Sequence, residues 1–159
     1  ARYEIEFDVD TSLLGSLSLK YGSRFVHTIA IVSFRFKGDD QYRWAFGGGL
    51  GFRIPFSDRI FSDLDVIYRH VMHDWDFNRD ELLTGRITLG FRIVDWLAVR
   101  LGVDFNAEFV DRNGSTIENY VWAEWLQDDT PFTHEMWIRG SIGIHGGLQF
   151  TIPELSPSP

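Results

Sequence analysis

Apolar and polar residues alternate with a period of two along most of this chain. That is the spacing of a β-strand with one greasy face, not the 3.6-residue spacing of a helix. In 41–56, Tyr42, Trp44, Phe46, Leu50, Phe52, Ile54 and Phe56 share one face with Gly48, and Gln41, Arg43, Ala45, Gly47, Gly49, Gly51 and Arg53 share the other. In 59–72, Ile60, Leu64, Val66, Tyr68 and Met72 oppose Asp63, Asp65 and Arg69. In 83–93, Leu83, Ile87, Leu89, Phe91 and Ile93 oppose Thr84, Arg86, Thr88, Gly90 and Arg92. In 97–109, Leu97, Val99, Leu101, Val103, Phe105 and Phe109 oppose Arg100, Gly102, Asp104, Asn106 and Glu108. In 136–152, Met136, Ile138, Ile142, Ile144, Leu148, Phe150 and Ile152 oppose Arg139, Ser141, Gly143, His145, Gly147 and Gln149.

Two earlier segments, 2–9 and 13–21, alternate in the same way, with Glu4, Glu6, Asp8, Ser16, Ser18 and Lys20 on the polar side. The segment 25–37 is less regular. Val26, Ala30, Val32, Phe34 and Phe36 oppose His27, Ser33, Arg35 and Lys37, but Ile29 and Ile31 fall on the polar side. This predicts a bulge or a locally apolar interior patch.

The pattern predicts eight strands. Short turns are expected at 22–23, 55–58 and 94–95, and longer connections at 73–80 and 111–133. Short and long connections alternate, as in a meander with its turns at one end and its longer loops at the other. The stretch NYVWAEWL (119–126) has some strand character but is assigned to the long loop. An even strand count then returns both termini to the short-turn end. The expected organisation is one β-barrel domain, 1–152, followed by a tail, 153–159.

Eight alternating strands describe two barrels with opposite faces inward. A soluble barrel puts its apolar face around a ligand; a transmembrane barrel puts it outward. Glycine and small residues crowd the polar face, which suits the cramped interior of an eight-stranded barrel. The charges on that face come in both signs, as buried charges must. Aromatics gather near strand ends on the apolar face, as in an interfacial girdle: Tyr42, Trp44, Phe56, Tyr68 and Phe109. Most apolar faces cover enough residues to cross a bilayer at the usual strand tilt. The reading is therefore an all-β, eight-stranded antiparallel up-and-down transmembrane β-barrel.

Composition narrows the partners. The formal net charge is −8, which argues against nucleic acid. Cysteine is absent, which removes disulfides and thiolate metal sites. Outer-membrane lipid is the partner expected of the apolar face.

GGGLGFRIPFSDRIFSDLDVIYRHV (47–71) and GRITLGFRIVDWLAVRLGVDF (85–105) resemble the strand–turn–strand units of bacterial outer-membrane β-barrels. WIRGSIGIHGGLQFTI (137–152) resembles their closing strand, with Phe150 as the aromatic near its end. Such barrels usually finish at that aromatic, whereas this chain continues with PELSPSP. More loosely, 1–72 resembles the barrel part of a family of surface-repeat outer-membrane proteins of unknown function. The resemblance implies a Gram-negative-type outer membrane and periplasmic termini, and is nearly silent on activity.

The chemistry-bearing residues fall into a few groups. Arg43, Arg53, Asp63, Asp65, Arg69, Arg86, Arg92, Arg100, Asp104, Glu108 and Arg139 are expected in the lumen, as a salt-bridge plug or, alternatively, as the lining of a narrow channel. Tyr42, Trp44, Phe46, Phe52, Phe56, Tyr68, Phe109 and Phe150 are expected to face lipid. Asp74, Asp76, Asn78 and Asp80 have the spacing of the front half of a calcium loop. Arg79 stands where the turn glycine should be and Gly85 where the last carboxylate should be, so a solvated acidic loop is preferred and no cofactor is required. Asp111, Asn113, Ser115 and Glu118 read more simply as an Asn-Gly turn than as a metal site. His70 and His73 are three apart and do not converge on a strand. Some outer-membrane barrels are lipid hydrolases with a serine and a histidine on the lipid-facing wall. Here Ser62 is eight residues from His70, which disfavours that enzyme reading. The preferred function is non-enzymatic: a structural or interaction barrel whose loop 111–133, with Trp122 and Trp125, meets a protein partner.

Overall fold

A computed structural model describes residues 2–10, 14–35, 43–73, 76–111, 130–131 and 136–152. The strands are β1 (Arg2–Asp10), β2 (Leu14–Gly22), β3 (Val26–Arg35), β4 (Arg43–Pro55), β5 (Ile60–His73), β6 (Asp76–Val94), β7 (Leu97–Asp111), the two-residue β8 (Thr130–Pro131) and β9 (Met136–Ile152). Every pairing is antiparallel. β1 to β7 pair in chain order, β7 pairs β9, and β9 pairs β1, so eight strands form a closed up-and-down barrel. β8 lies outside that ring, at the upper edge of β9, where Thr130 faces Ile138 and Pro131 faces Trp137. No helix occurs among the described residues.

The register sets the barrel's shape. From Ile152, paired residues lead through Tyr3, Tyr21, Thr28, Leu50, Val66, Gly85 and Phe105 back to Ile142, ten residues along the same strand. A shear of this size on eight strands tilts them by about 40° and leaves an interior just wide enough for side chains.

The face assignment is borne out. Leu50, Val66, Leu89 and Leu101 are among the most exposed residues, whereas Glu6, Asp63, Thr84 and Thr88 are completely buried. On β6 the outward apolar row runs from Leu83 to Ile93, about 25 Å along the barrel axis at this tilt, the height of a bilayer's hydrocarbon band. At its upper end Glu81 neighbours Tyr68, marking where the outer wall turns polar.

Ile29 and Ile31 are buried against Ile67. This is the interior apolar patch; β3 keeps an unbroken register, so there is no bulge in it. The register shifts fall instead between Val71 and His73 and between Arg92 and Val94.

The structure corrects the connection at 73–80. β5 continues to His73 and β6 begins at Asp76, with His73 paired to Asp76. The stretch read as a loop is mostly ladder, because closing the hairpin early satisfies backbone groups that an open loop would leave to water. The wall is accordingly uneven: β1 to β3 have 9 or 10 residues, while β5, β6, β7 and β9 have 14 to 19.

Candidate functional site

Inside the barrel, charged or polar side chains from all eight wall strands meet in one connected network. At its centre is Lys20 on β2, buried among three carboxylates. Its Nζ donates to Asp63 Oδ2 at 3.0 Å and Asp65 Oδ2 at 2.8 Å, and lies 3.1 Å from Glu6 Oε1. Arg53 grips Asp63 with two parallel bonds, Nε to Oδ1 at 2.6 Å and Nη2 to Oδ2 at 2.7 Å. This fork geometry is the strong form of the pair. Arg53 also reaches Glu4 at 2.6 Å and the Gln149 carbonyl at 3.1 Å.

Two further arginines continue the network across the lumen. Arg100 Nη1 lies 2.6 Å from Glu6 Oε2 and 3.2 Å from Asp8 Oδ2. Arg86 donates to Asp104 at 2.9 Å and to Asp8 at 3.0 Å, tying β6 to β7 and β1. Higher up, Arg69 donates to Ser33 at 3.2 Å and to Thr84 at 2.9 Å, and the Thr84 hydroxyl donates to Asn106 at 2.8 Å.

Two histidines complete the interior. His27 Nε2 lies 2.8 Å from Asp65 Oδ1. His145 has Nδ1 3.1 Å from Asp104 Oδ1 and Nε2 3.0 Å from the Thr88 hydroxyl. Thr88, His145 and Asp104 therefore have the order of a hydroxyl–imidazole–carboxylate triad. A nucleophile must be reached by its substrate, however. Thr88 is fully buried, with Arg100 Nη2 3.4 Å from its oxygen. The three act here as a tie between β6, β9 and β7, made of a Thr88–His145 hydrogen bond and a close His145–Asp104 contact.

His27, Asp63 and Asp65 also hold their ligand atoms within 4.8 Å of one another. The Lys20 ammonium already sits against both aspartates, in the place a cation would take.

The glycines on this face divide into two kinds. A Cβ on Gly51 would strike Asp65 Oδ1 and His27 Nε2, and one on Gly90 would strike the Phe61 ring. These glycines leave room for the network. A Cβ on Gly47 or Gly49 would instead strike the backbone oxygen of Tyr68 or Val66, so these two allow close approach of β4 to β5.

Of the expected lumen residues, the structure brings together Arg53, Asp63, Asp65, Arg86, Arg100 and Asp104, with Arg69 and Glu108 also buried. Arg92 is a correction. It lies at the short-turn rim, donating to the Asp58 carbonyl at 3.0 Å, with its guanidinium 5.3 Å from the Phe61 ring. It is two residues from the end of β6, where the lumen opens. Arg43 lies on β4 and Arg139 on β9 opposite Glu108, but their side chains are outside the described residues.

On the outer face, Trp44, Phe46, Phe52, Phe56 and Tyr68 are exposed, Phe109 and Phe150 are half-buried, and Tyr42 lies outside the described residues. Phe150 packs edge-on to Phe7 and stacks on Trp96. His70 is on this face, 5.6 Å from the Phe46 ring.

Asp76, Asn78 and Asp80 stand at alternate positions of β6, not around a tight turn, and Asp74 lies outside the described residues. The stretch 119–126, with Trp122 and Trp125, also lies outside them, as do Asn113, Ser115 and Glu118.

Lys20, His27, His145, Thr88 and Gln149 were not singled out as site residues from sequence. Alternation puts all five on the polar face, but only the register shows that they meet. Phe61 gave a weaker signal, an aromatic on the polar side of β5. It is buried in the lumen with the Arg53 guanidinium 4.1 Å above its ring.

Comparison with protein-family models and with curated protein sequences finds no match. A solved structure described as "De novo design of transmembrane beta-barrels" is similar over 95% of this chain and 93% of that one, at 10% identity and a TM-score of 0.49.

Proposed function

We propose that this chain is an integral barrel of a Gram-negative-type outer membrane with a structural or interaction role, its lumen closed by the charged network. The observation that carries this reading is the network itself: each wall strand sends a charged or polar group into it, while the outer face is apolar over a bilayer's height. Ion pairs bridging the lumen support this closed-interior reading over an open channel. Both ends of the barrel sequence pair at the rim that carries the three short turns, with Tyr3 opposite Ile152. We assign this rim to the periplasm and the connection after β7 to contact with a protein partner.

The reading is non-enzymatic. Purified chain in planar bilayers is expected to give no steady single-channel conductance, and a stable open level in the unmodified protein would replace the plugged barrel with a narrow channel. Heat-modifiable gel migration after refolding into vesicles checks the membrane architecture separately.

A further inference from the structure

Two of the three short turns share a device. The Ser23 hydroxyl oxygen accepts from the N–H groups of Phe25 and Val26 at 3.2 and 3.0 Å. The Ser57 hydroxyl oxygen accepts from those of Arg59 and Ile60 at 3.3 and 3.0 Å. Each turn is thereby held in shape, and each carries an exposed arginine, Arg24 or Arg59. Neither arginine forms an ion pair among the described residues, unlike the lumen arginines.

Large exposed aromatics flank both turns. Phe25 lies beneath the Arg24 guanidinium, 6.0 Å from ring centre to Cζ, and Phe56 is 63% exposed at the start of the other turn. The two hairpins are neighbours: Arg53 N–H donates to the Phe25 carbonyl at 2.7 Å. Their axes are two strand spacings apart, about 10 Å. Arg92 is on the same rim and donates to a backbone carbonyl. Among the described residues of this rim, the exposed carboxylates Asp58 and Asp95 are outnumbered by these three guanidiniums.

We infer that the short-turn rim is a docking surface for anionic phospholipid headgroups, with Arg24 and Arg59 as the phosphate-binding groups and Phe25 and Phe56 as the interfacial anchors. This rests on the membrane reading above. A guanidinium beside an aromatic ring at the edge of an apolar band meets headgroup phosphate, and fixed unpaired cations select lipids of net negative charge. A zwitterionic headgroup brings its own cation to the site and gains less.

The test uses the full chain folded in vesicles of equal dioleoyl phosphatidylcholine and dioleoyl phosphatidylglycerol, then extracted and weighed with its retained lipids by native mass spectrometry. Phosphatidylglycerol is expected in several-fold excess over phosphatidylcholine. R24A/R59A is expected to bring that ratio close to one, a several-fold loss of preference, and R24K/R59K to keep most of it. A folded chain that retains both lipids equally, or a preference unchanged in R24A/R59A, overturns the inference. Displacement of the lipid by inorganic phosphate assigns the site to free phosphate and overturns it too. Failure of the membrane reading is separately visible, as a chain that never gives the heat-modifiable band.

Discussion

Lys20 is the cation whose removal the geometry makes easiest to reason about. Lys20→Met keeps the length of the side chain and deletes the charge. The three carboxylates around it are not equally affected. Glu6 keeps Arg100 at 2.6 Å, and Asp63 keeps its forked pair with Arg53. Among the described residues the contact left to Asp65 is His27 at 2.8 Å, so it loses its permanent counter-charge. Leaving a buried charge uncompensated costs about 3–5 kcal/mol. The expected result is a loss of that size in urea unfolding of the vesicle-refolded barrel, followed by tryptophan fluorescence. Asp65→Asn in the same background removes the orphaned charge and should restore most of the loss, whereas Asp63→Asn should not, since it breaks the forked pair with Arg53 and leaves Asp65 uncompensated. A Lys20→Met variant within about 1 kcal/mol of the parent, or equal rescue by the two aspartate substitutions, refutes the assignment of Lys20 as the partner of Asp65.

Three further substitutions probe the wall. Gly51→Ala drives a methyl group into Asp65 and His27 and should cost about 1–3 kcal/mol by the same unfolding measurement. Gly85→Ala, whose new carbon would meet only the Phe105 carbonyl at 4.0 Å, should be neutral or slightly stabilising; equal effects at the two sites would show that lumen crowding does not set the glycine positions. Leu101 is 64% exposed near the middle of the apolar band, and Leu101→Arg should destabilise the barrel in vesicles by about 2–4 kcal/mol. A neutral or favourable effect there would mean that the outer face meets water.

Much of the fold was readable along the chain because a closed barrel with unlike faces writes its period into every strand. Expected strand limits such as 97–109 and 136–152 fall within two residues of the observed Leu97–Asp111 and Met136–Ile152. Ile29 and Ile31 were readable for the same reason: they break the alternation because they fill the lumen beside Ile67. The 73–80 connection was misread because polarity resembles a loop wherever a strand rises past the apolar band. There Asp76–Asp80 continues the ladder of β6 although its sequence, DFNRD, is mostly polar. The site was only half legible. Alternation sorts Asp63, Arg86 and His145 to one face, but which charges meet depends on the shear. Lys20 and Asp65 are 45 residues apart and come together only through the pairing of β2, β3, β4 and β5.

That dependence indicates what the network is for. Among the described residues the interior holds a small apolar cluster of Ile29, Ile31 and Ile67, with Phe61, Leu82, Ala45 and Ala98 elsewhere, so burial of apolar surface inside the barrel supplies little of the folding free energy. Buried ion pairs do not supply it either, since their attraction is largely offset by desolvation. The favourable terms lie elsewhere: in the outward rows of Leu50, Val66, Leu101 and their neighbours meeting an apolar solvent, and in a closed ladder that leaves no unpaired strand edge in that solvent. Those terms alone do not select one register. Outward apolar residues are nearly interchangeable, so a two-residue slip of one strand would keep every face correct. The lumen is not tolerant in this way. A slip of β5 against β4 separates Arg53 from Asp63, and a slip of β6 against β7 separates Arg86 from Asp104, each breaking a buried ion pair that only the observed register makes. The solvent outside makes a barrel stable, and the charges inside make one shear far better than the others.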